Sequence, residues 1–292
     1  MSAIAGVSST GNPGNAPAGT FPFRPAASVR LNPWPCRYLD RVSTNLPHVR
    51  SGTGPQPTPP EPRAWGDLFI LGGGGHALVV AEAAETLGWR IAGFFDDDAA
   101  APLGRPHSLH TPASPAPDAV RRGVGWQGAP RIGSLADWRL LPPGAALALG
   151  LGHVDVRRRL LDVTATRNDL RWPTLVHPSA EVSPSAHLGR GVFVAPRAVV
   201  HTRAVVADFA IINTGAIVEH DCVIGRNVHI APGCVLAGAT RVGEDSLLGV
   251  GTRTIPRIEI GANVTAGAGS VIIRAAAPGS KIMGVPARPV AR

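Results

Sequence analysis

Residues 199–246 divide without remainder into hexads: VVHTRA VVADFA IINTGA IVEHDC VIGRNV HIAPGC VLAGAT RVGEDS. The second place is always aliphatic, from Val200, Val206 and Ile212 to Leu236 and Val242. The last place is mostly small, as at Ala204, Ala210, Ala216, Cys222 and Cys234. The same step of six runs from Val176 to Ile272, 17 positions in register, of which 15 are Val, Ile or Leu; Thr254 and Ala266 are the others. Glycine often follows the aliphatic place, as at Gly189, Gly225, Gly243, Gly249, Gly261 and Gly267. A period of six fits neither a helix of 3.6 residues per turn nor an alternating strand. It fits a triangular parallel β-helix with one hexad per face. The aliphatic residue fills the prism, the small residue fits beside it, and glycine is expected to ease the corner. Three hexads make one coil of 18, so the 97 residues from 176 to 272 predict between five and six coils, stacked ~4.8 Å apart.

Upstream, residues 67–172 alternate strand and helix signals. Leu68 to Leu71 reads as a buried strand, Gly72-Gly73-Gly74-Gly75 as a loop, His76 to Leu87 as a helix stopped by Gly88, Ile91 to Phe95 as a second strand ending in Asp96-Asp97-Asp98, and Ala145 to Leu149 as a third ending in Gly150. A helix carrying Arg157, Arg158 and Arg159 follows. Strands joined by crossover helices predict a small Rossmann-like α/β parallel sheet. Residues 99–130 read as a loop insertion. Residues 1–66 are rich in Pro, Gly, Ser and Ala without periodicity and read as a disordered extension. The expected domains are therefore 1–66, 67–172 and 173–292.

On these stretches the chain resembles a known family. The Gly72–His76 loop, Phe95-Asp96-Asp97, Leu149-Gly150, Asn213-Thr214, Glu219 to Gly225, His229 and Gly284-Val285-Pro286-Ala287 are similar to the hexapeptide-repeat acetyltransferases of the sialic-acid O-acetyltransferase and nucleotide-4-amino-sugar N-acetyltransferase group. Bacillosamine- and perosamine-type enzymes belong to that group. The resemblance covers residues 67–292 and implies a left-handed β-helix, acetyl-CoA as co-substrate, a nucleotide-sugar acceptor and a homotrimer.

The repeat itself locates His220, two places after inward Val218 and hence at a corner. Its neighbours one coil away are Thr202 and Gly238. Acyl transfer from a thioester needs a base near neutral pH, which suits histidine. Asp221 would orient it, although adjacent residues on a regular strand point apart. Glu219 is a rival, able to pair with His201 instead. Gly238 is either an oxyanion donor or an ordinary corner glycine. By the resemblance, His229, Val250 and Ala268 contact acetyl-CoA and Asn213 holds the acceptor. Lys281 and Arg288 either reach CoA phosphates or are plain surface charge. In the loop, Gly74, Gly75 and His76 precede a helix, where free N–H groups favour a phosphate. Gly72, Gly74 and Ala77 also match a dinucleotide fingerprint, but a sheet of about three strands is half a dinucleotide fold, so a nucleotide-sugar fits better than NAD. Asp96, Asp97 and Gly150 complete the expected acceptor site.

Composition excludes several classes. The net charge is +8, with 27 Arg and the single Lys281, a balance that suits phosphates. No basic cluster carries interleaved aromatics, so nucleic acid is not an expected partner. No apolar run reaches membrane-spanning length, and Cys36, Cys222 and Cys234 form no framework, which suggests a cytoplasmic protein. The expected reaction is N-acetylation of a nucleotide-linked 4-amino sugar; the alternative is sugar O-acetylation on the same fold. A non-catalytic nucleotide-binding protein and a metal-dependent β-helix enzyme using His201, His220 and His229 are weaker readings. No metal is expected.

Overall fold

The computed structural model describes residues 65–106 and 128–290. The extension expected over residues 1–66, apart from its last two residues, and positions 107–127 of the insertion expected over 99–130 lie outside the described residues. The described residues begin with β1 (Gly66–Leu71), α1 (Gly75–Thr86), β2 (Trp89–Phe95), β3 (Arg131–Gly133), β4 (Ala146–Leu149) and α2 (Val154–Thr164). The strands form one parallel sheet in the order β3-β2-β1-β4. Central β1 buries both faces: Leu68 and Ile70 pack toward α1, while Leu71 packs with Phe95, Trp138 and Leu147 on the other side. Ala77, Ala81 and Ala84 give α1 a small-residue face that sits close on the sheet. Gly88, at φ 92°, ends the helix, a left-handed position that glycine adopts without steric cost. The sheet has four strands rather than three. Strand β3 has one apolar residue, Ile132, and no periodicity, so only main-chain pairing to Phe94 and Phe95 reveals it.

Next come seventeen two-residue strands, β5 (Leu175–Val176) to β21 (Val271–Ile272), in which every hexad position is the second residue. Each strand pairs in parallel with the one a coil away, so Val218 lies between Val200 and Leu236. Three sheets result. The first face holds six of these strands and continues through β22 (Lys281–Gly284) and antiparallel β23 (Ala287–Pro289). The second face holds six strands and the third five. The inward aliphatic residues from Val200 to Leu236 are fully buried. Thr254 breaks the aliphatic rule because its hydroxyl is satisfied inside the prism. It accepts the Ala237 N–H at 3.0 Å and meets the Thr240 hydroxyl at 3.0 Å.

Glycine does not ease the corners in the way expected. The left-handed φ values fall three places after the inward residue, and nine of those residues are not glycine: Arg197, Arg203, Phe209, Asp221, Asn227, Ala239, Asp245, Arg257 and Asn263. A left-handed L-residue costs roughly 1–2 kcal/mol. The corner residues are held by main-chain bonds to the previous coil, such as Asp221 N–H to the Thr202 carbonyl at 3.1 Å. The glycines directly after the inward residue answer a different need. A Cβ on Gly225 would lie 2.5 Å from the Glu244 nitrogen of the next coil.

The small sheet rests on the first face. Leu175, Phe193 and Ile211 point outward from the prism and are buried with Leu68, Val80, Ala83, Ala84 and Ala148. Burying a large apolar side chain contributes about 1.5–3 kcal/mol, so these three residues fix the sheet on the opening coils. Cys222 and Cys234 are inward small residues, and burial pushes both thiols up to about 11, which removes them from nucleophilic chemistry. Among the described residues no helix is long and apolar enough to cross a membrane.

Candidate active site

His220 stands on the edge between the second and third faces. It follows β12 (Ile217–Val218), and its side chain is about half exposed, at 55%. Asp221 adopts φ 61°, and this left-handed corner turns two adjacent side chains toward each other. The Asp221 Oδ2 lies 2.8 Å from His220 Nδ1. A carboxylate oxygen accepts, so Nδ1 carries the proton and Nε2 keeps its lone pair. The same carboxylate takes two bonds from Arg203, one coil below, at 2.7 Å from Nε and 2.9 Å from Nη2. Arg203 first, and His220 second, hold the Asp221 carboxyl down at about 2. Glu219 turns its Oε2 to the His220 backbone N–H at 3.4 Å, and His201 bonds through Nδ1 to the Thr202 N–H.

One coil above, the His220 ring lies over Gly238. A Cβ there would sit 2.6 Å from both Cε1 and Nε2 of the ring. Gly238 therefore leaves room for the imidazole. Its φ is not in the left-handed region, so backbone freedom is not the reason for glycine. Its carbonyl accepts from the Arg257 N–H, while its own N–H has no acceptor among the described residues. One position thus combines space for the base with a free donor beside it.

The glycine loop divides into two kinds. Gly72, at φ 99°, would collide with Leu151, Gly73 with the Phe94 ring at 2.5 Å, and Gly150 with Ala77, Ile70 and the Gly72 carbonyl at 2.7 Å. The fold itself requires these three. Around Gly74 and Gly75 nothing lies within 4 Å of an added Cβ. Gly74 caps α1 with no side-chain bond; the Ala77 N–H turns back to the Gly74 carbonyl at 2.9 Å, while the Gly75 and His76 N–H groups have no acceptor among the described residues, as an anion site requires. Asp96 supports the loop by accepting the Gly73 N–H at 2.6 Å and the Asp98 N–H at 2.8 Å. Asp97 accepts the Leu135 N–H at 3.0 Å.

Against this loop lies His229, which points outward from the first face but is buried beneath the chain after β4. Its Nδ1–H donates to the Gly152 carbonyl at 2.9 Å, and its Nε2 accepts from Asn213 Nδ2 at 3.0 Å. The Asn213 Oδ1 accepts the Thr214 N–H at 2.8 Å, which fixes the amide. Both ring nitrogens of His229 and both ends of Asn213 are thus engaged within the chain. His76 lies beside them, 6.2 Å from His229 between ring centroids and edge-on to Phe193. Burial, then the neighbouring His229 and Arg157, lower His76 to about 4. Burial, then Arg157, lower His229 to about 4.

A pH dependence follows. Both rings are neutral when folded, whereas an unfolded histidine protonates near ~6.5. Below that pH the unfolded state binds more protons, so stability falls as pH drops toward the folded values near 4; the loss is on the order of a few kcal/mol. Thermal melts between about pH 7 and 4.5 should show Tm falling, and falling less steeply in His229→Gln. Equal slopes for the two proteins would contradict the buried neutral pair.

Val250 and Ala268 stack on the edge between the first and second faces and are both exposed, Val250 at 56%. Asn213 shares that edge. The structure thus brings the loop, Asp96, Gly150, Asn213 and His229 together beside the first face, with Val250 and Ala268 on its edge, and leaves His220, Asp221 and Gly238 on the opposite edge. Lys281 and Arg288 are exposed on the terminal hairpin. The residue that the sequence reading passed over is Arg203. Its signal is the coil spacing, since Arg203 stands 18 residues before Asp221.

Residues 67–113 match the family model of the PglD N-terminal domain, and residues 203–238 match that of the bacterial transferase hexapeptide (six repeats). The acetyltransferase domain of PglB from Neisseria gonorrhoeae is 35% identical and aligns over 77% of this chain and 99% of its own, with a TM-score of 0.64. The chain belongs to this family of hexapeptide-repeat sugar acetyltransferases. PerB from Caulobacter crescentus, solved in complex with CoA and GDP-perosamine, is 34% identical over 78% of this chain and 99% of its own, with a TM-score of 0.65. The PglB domain has also been solved with acetyl coenzyme A, at 36% identity. The coiled half is accordingly the left-handed parallel β-helix of the family. About three quarters of this chain thus aligns with nearly the whole length of both relatives.

Proposed function

We propose that this enzyme transfers the acetyl group of acetyl-CoA to the amino group of a nucleotide-linked 4-amino sugar, with His220 as the general base. The observation that carries the reading is the His220 Nδ1–Asp221 Oδ2 bond at 2.8 Å, which leaves Nε2 as a lone pair beside the free Gly238 N–H. The sugar nitrogen attacks the thioester carbonyl and forms a C–N bond. His220 Nε2 takes a proton from that nitrogen. The Gly238 N–H stabilises the tetrahedral oxyanion. Collapse breaks the C–S bond, and the proton on His220 passes to the departing CoA sulfur. Residues 67–172 hold the nucleotide, its phosphates at Gly74, Gly75 and the start of α1 beside His76 and Gly150, with Asp96 and Asp97 toward its base and ribose. Residues 173–292 supply the donor site along His229, Val250 and Ala268, with Asn213 near the acceptor. CoA and a nucleotide-linked amino sugar in the PerB complex support both substrates. A thioester donor of central metabolism fits a cytoplasmic enzyme.

The same reading makes the enzyme a homotrimer. The donor residues and the base occupy different edges of one prism, so a single chain cannot place them around one thioester. Closed threefold symmetry brings the edge of one chain to the other edge of its neighbour. The test is acetyl-CoA turnover against UDP-, GDP- and dTDP-linked 4-amino sugars, with co-expression of two inactive chains. A His220→Ala chain with a Gly74→Val chain should regain about a quarter of full activity, since random assembly leaves that share of shared sites intact. Absence of any complementation, or a fully active monomer in light scattering, would refute shared sites. Absence of turnover with every amino sugar would refute the reaction.

A further inference from the structure

Three charged groups lie around His220 besides its own backbone contacts. Asp221 and Glu219 flank it on its own turn, and Arg203 reaches up from the coil below, where His201 also lies. The coil above presents Ala237, Gly238, Ala239 and Thr240, none of them charged. Arg257 stands two coils above Asp221 in the same column, too far to share its carboxylate. The Asp221 carboxylate is therefore divided between two donors. Arg203 Nε bonds Oδ1 at 2.7 Å, Arg203 Nη2 bonds Oδ2 at 2.9 Å, and His220 Nδ1 bonds that same Oδ2 at 2.8 Å. A bidentate guanidinium fixes the plane of a carboxylate as well as its charge. Arg203 is itself held, with its left-handed backbone at φ 56° and its N–H on the Ser185 hydroxyl at 3.2 Å.

On the reading of His220 as general base, we infer that Arg203 is a positioning residue of the reaction: it clamps Asp221 so that the imidazole stays over Gly238, and it takes up part of the carboxylate charge. The second effect has a definite sign. An unshared carboxylate beside a histidine favours the imidazolium, which cannot act as base. A carboxylate shared with an arginine favours it less. A surface ion pair with no such role would contribute little to stability and nothing to the pH profile.

The experiment compares pH–rate profiles of kcat/KM for the full-length enzyme, Arg203→Met, Arg203→Lys, Asp221→Asn and the Arg203→Met/Asp221→Asn double variant. In Arg203→Met the acid limb should move up by about 0.5–1 pH unit, with kcat at pH 7 lower by roughly 3–10-fold. Arg203→Lys keeps the charge and loses the fork, so its acid limb should lie closer to the original while kcat still falls. The double variant should match Asp221→Asn alone, because Arg203 acts through that carboxylate. An Arg203→Met profile that superimposes on the original would overturn the inference, and so would a further shift in the double variant. His220→Asn serves as the control for the underlying reading. If it retains turnover, the base has been misassigned, whatever Arg203 does; if it is inactive and Arg203→Met is unchanged, only the role of Arg203 fails.

Discussion

Alanine at position 220 is expected to leave a folded, assembled enzyme that turns over roughly 10²–10⁴ times more slowly, the usual contribution of a positioned general base. The fold should hardly notice the change. His220 stands outside the inward ladder of Val218, Ile224 and Leu236, its side chain is 55% exposed, and its removal opens no cavity. Changes at such sites usually stay within about 0.5 kcal/mol. The KM for acetyl-CoA should change little, since the expected donor contacts are His229, Val250 and Ala268, all left intact, so the loss belongs to kcat. Size-exclusion elution, Tm and steady-state kinetics on the same preparation check all three points. A His220→Ala enzyme that keeps most of its kcat with acetyl-CoA and an accepted nucleotide amino sugar would sink the mechanism and leave the fold standing.

A methyl group at position 238 should be nearly as damaging, and it tests geometry instead of chemistry. Gly238→Ala places its Cβ 2.6 Å from Nε2 and Cε1 of His220. The atoms it meets belong to an exposed ring that can swing aside, and the backbone there is not left-handed, so the variant should fold. The ring cannot swing and keep its bond to Asp221 with Nε2 in place. A displacement of about 1 Å at a reacting group can cost roughly 10²-fold, and that is the fall expected in kcat. The Gly238 N–H survives the substitution, so the loss reports on the position of the base and not on the oxyanion donor. A crystal structure of the variant should show the imidazole moved off its place. Full activity with a displaced ring would show that the seat over Gly238 has no part in the reaction.

The β-helix, apart from its hand, was legible from the hexads, because a prism of stacked coils repeats one local environment, and nearly every inward place from Val176 to Ile272 answers the same packing demand. The edge location of His220 came from the same count. The small sheet was legible less completely. Its buried strands announced themselves by composition, whereas β3 is held by hydrogen bonds to Phe94 and Phe95 that leave no mark on side-chain type. The glycines misled in part. Those after the inward residue looked like devices for turning the chain, but they are there because the next coil passes too close for a Cβ, a contact 16 to 19 residues away in sequence.

By itself, then, the sequence determined what depends on the periodicity of the chain: the triangular coil, the strands that fill it, and the register that stacks Thr202, His220 and Gly238. Only the tertiary structure decided which side chains turn toward one another. The left-handed φ of Asp221 aims its carboxylate at His220 and Arg203, and the packing of the sheet on Leu175, Phe193 and Ile211 covers His229 with the Gly152 carbonyl. It also sorted Gly72, Gly73 and Gly150, which the fold requires, from Gly74 and Gly75, which it leaves open. The physical reason is one of range. Repeat packing is set by neighbours at a fixed spacing along the chain, while the aim of a polar side chain depends on corner dihedrals and on partners from other coils and from the sheet, and no local pattern of residues encodes those directions.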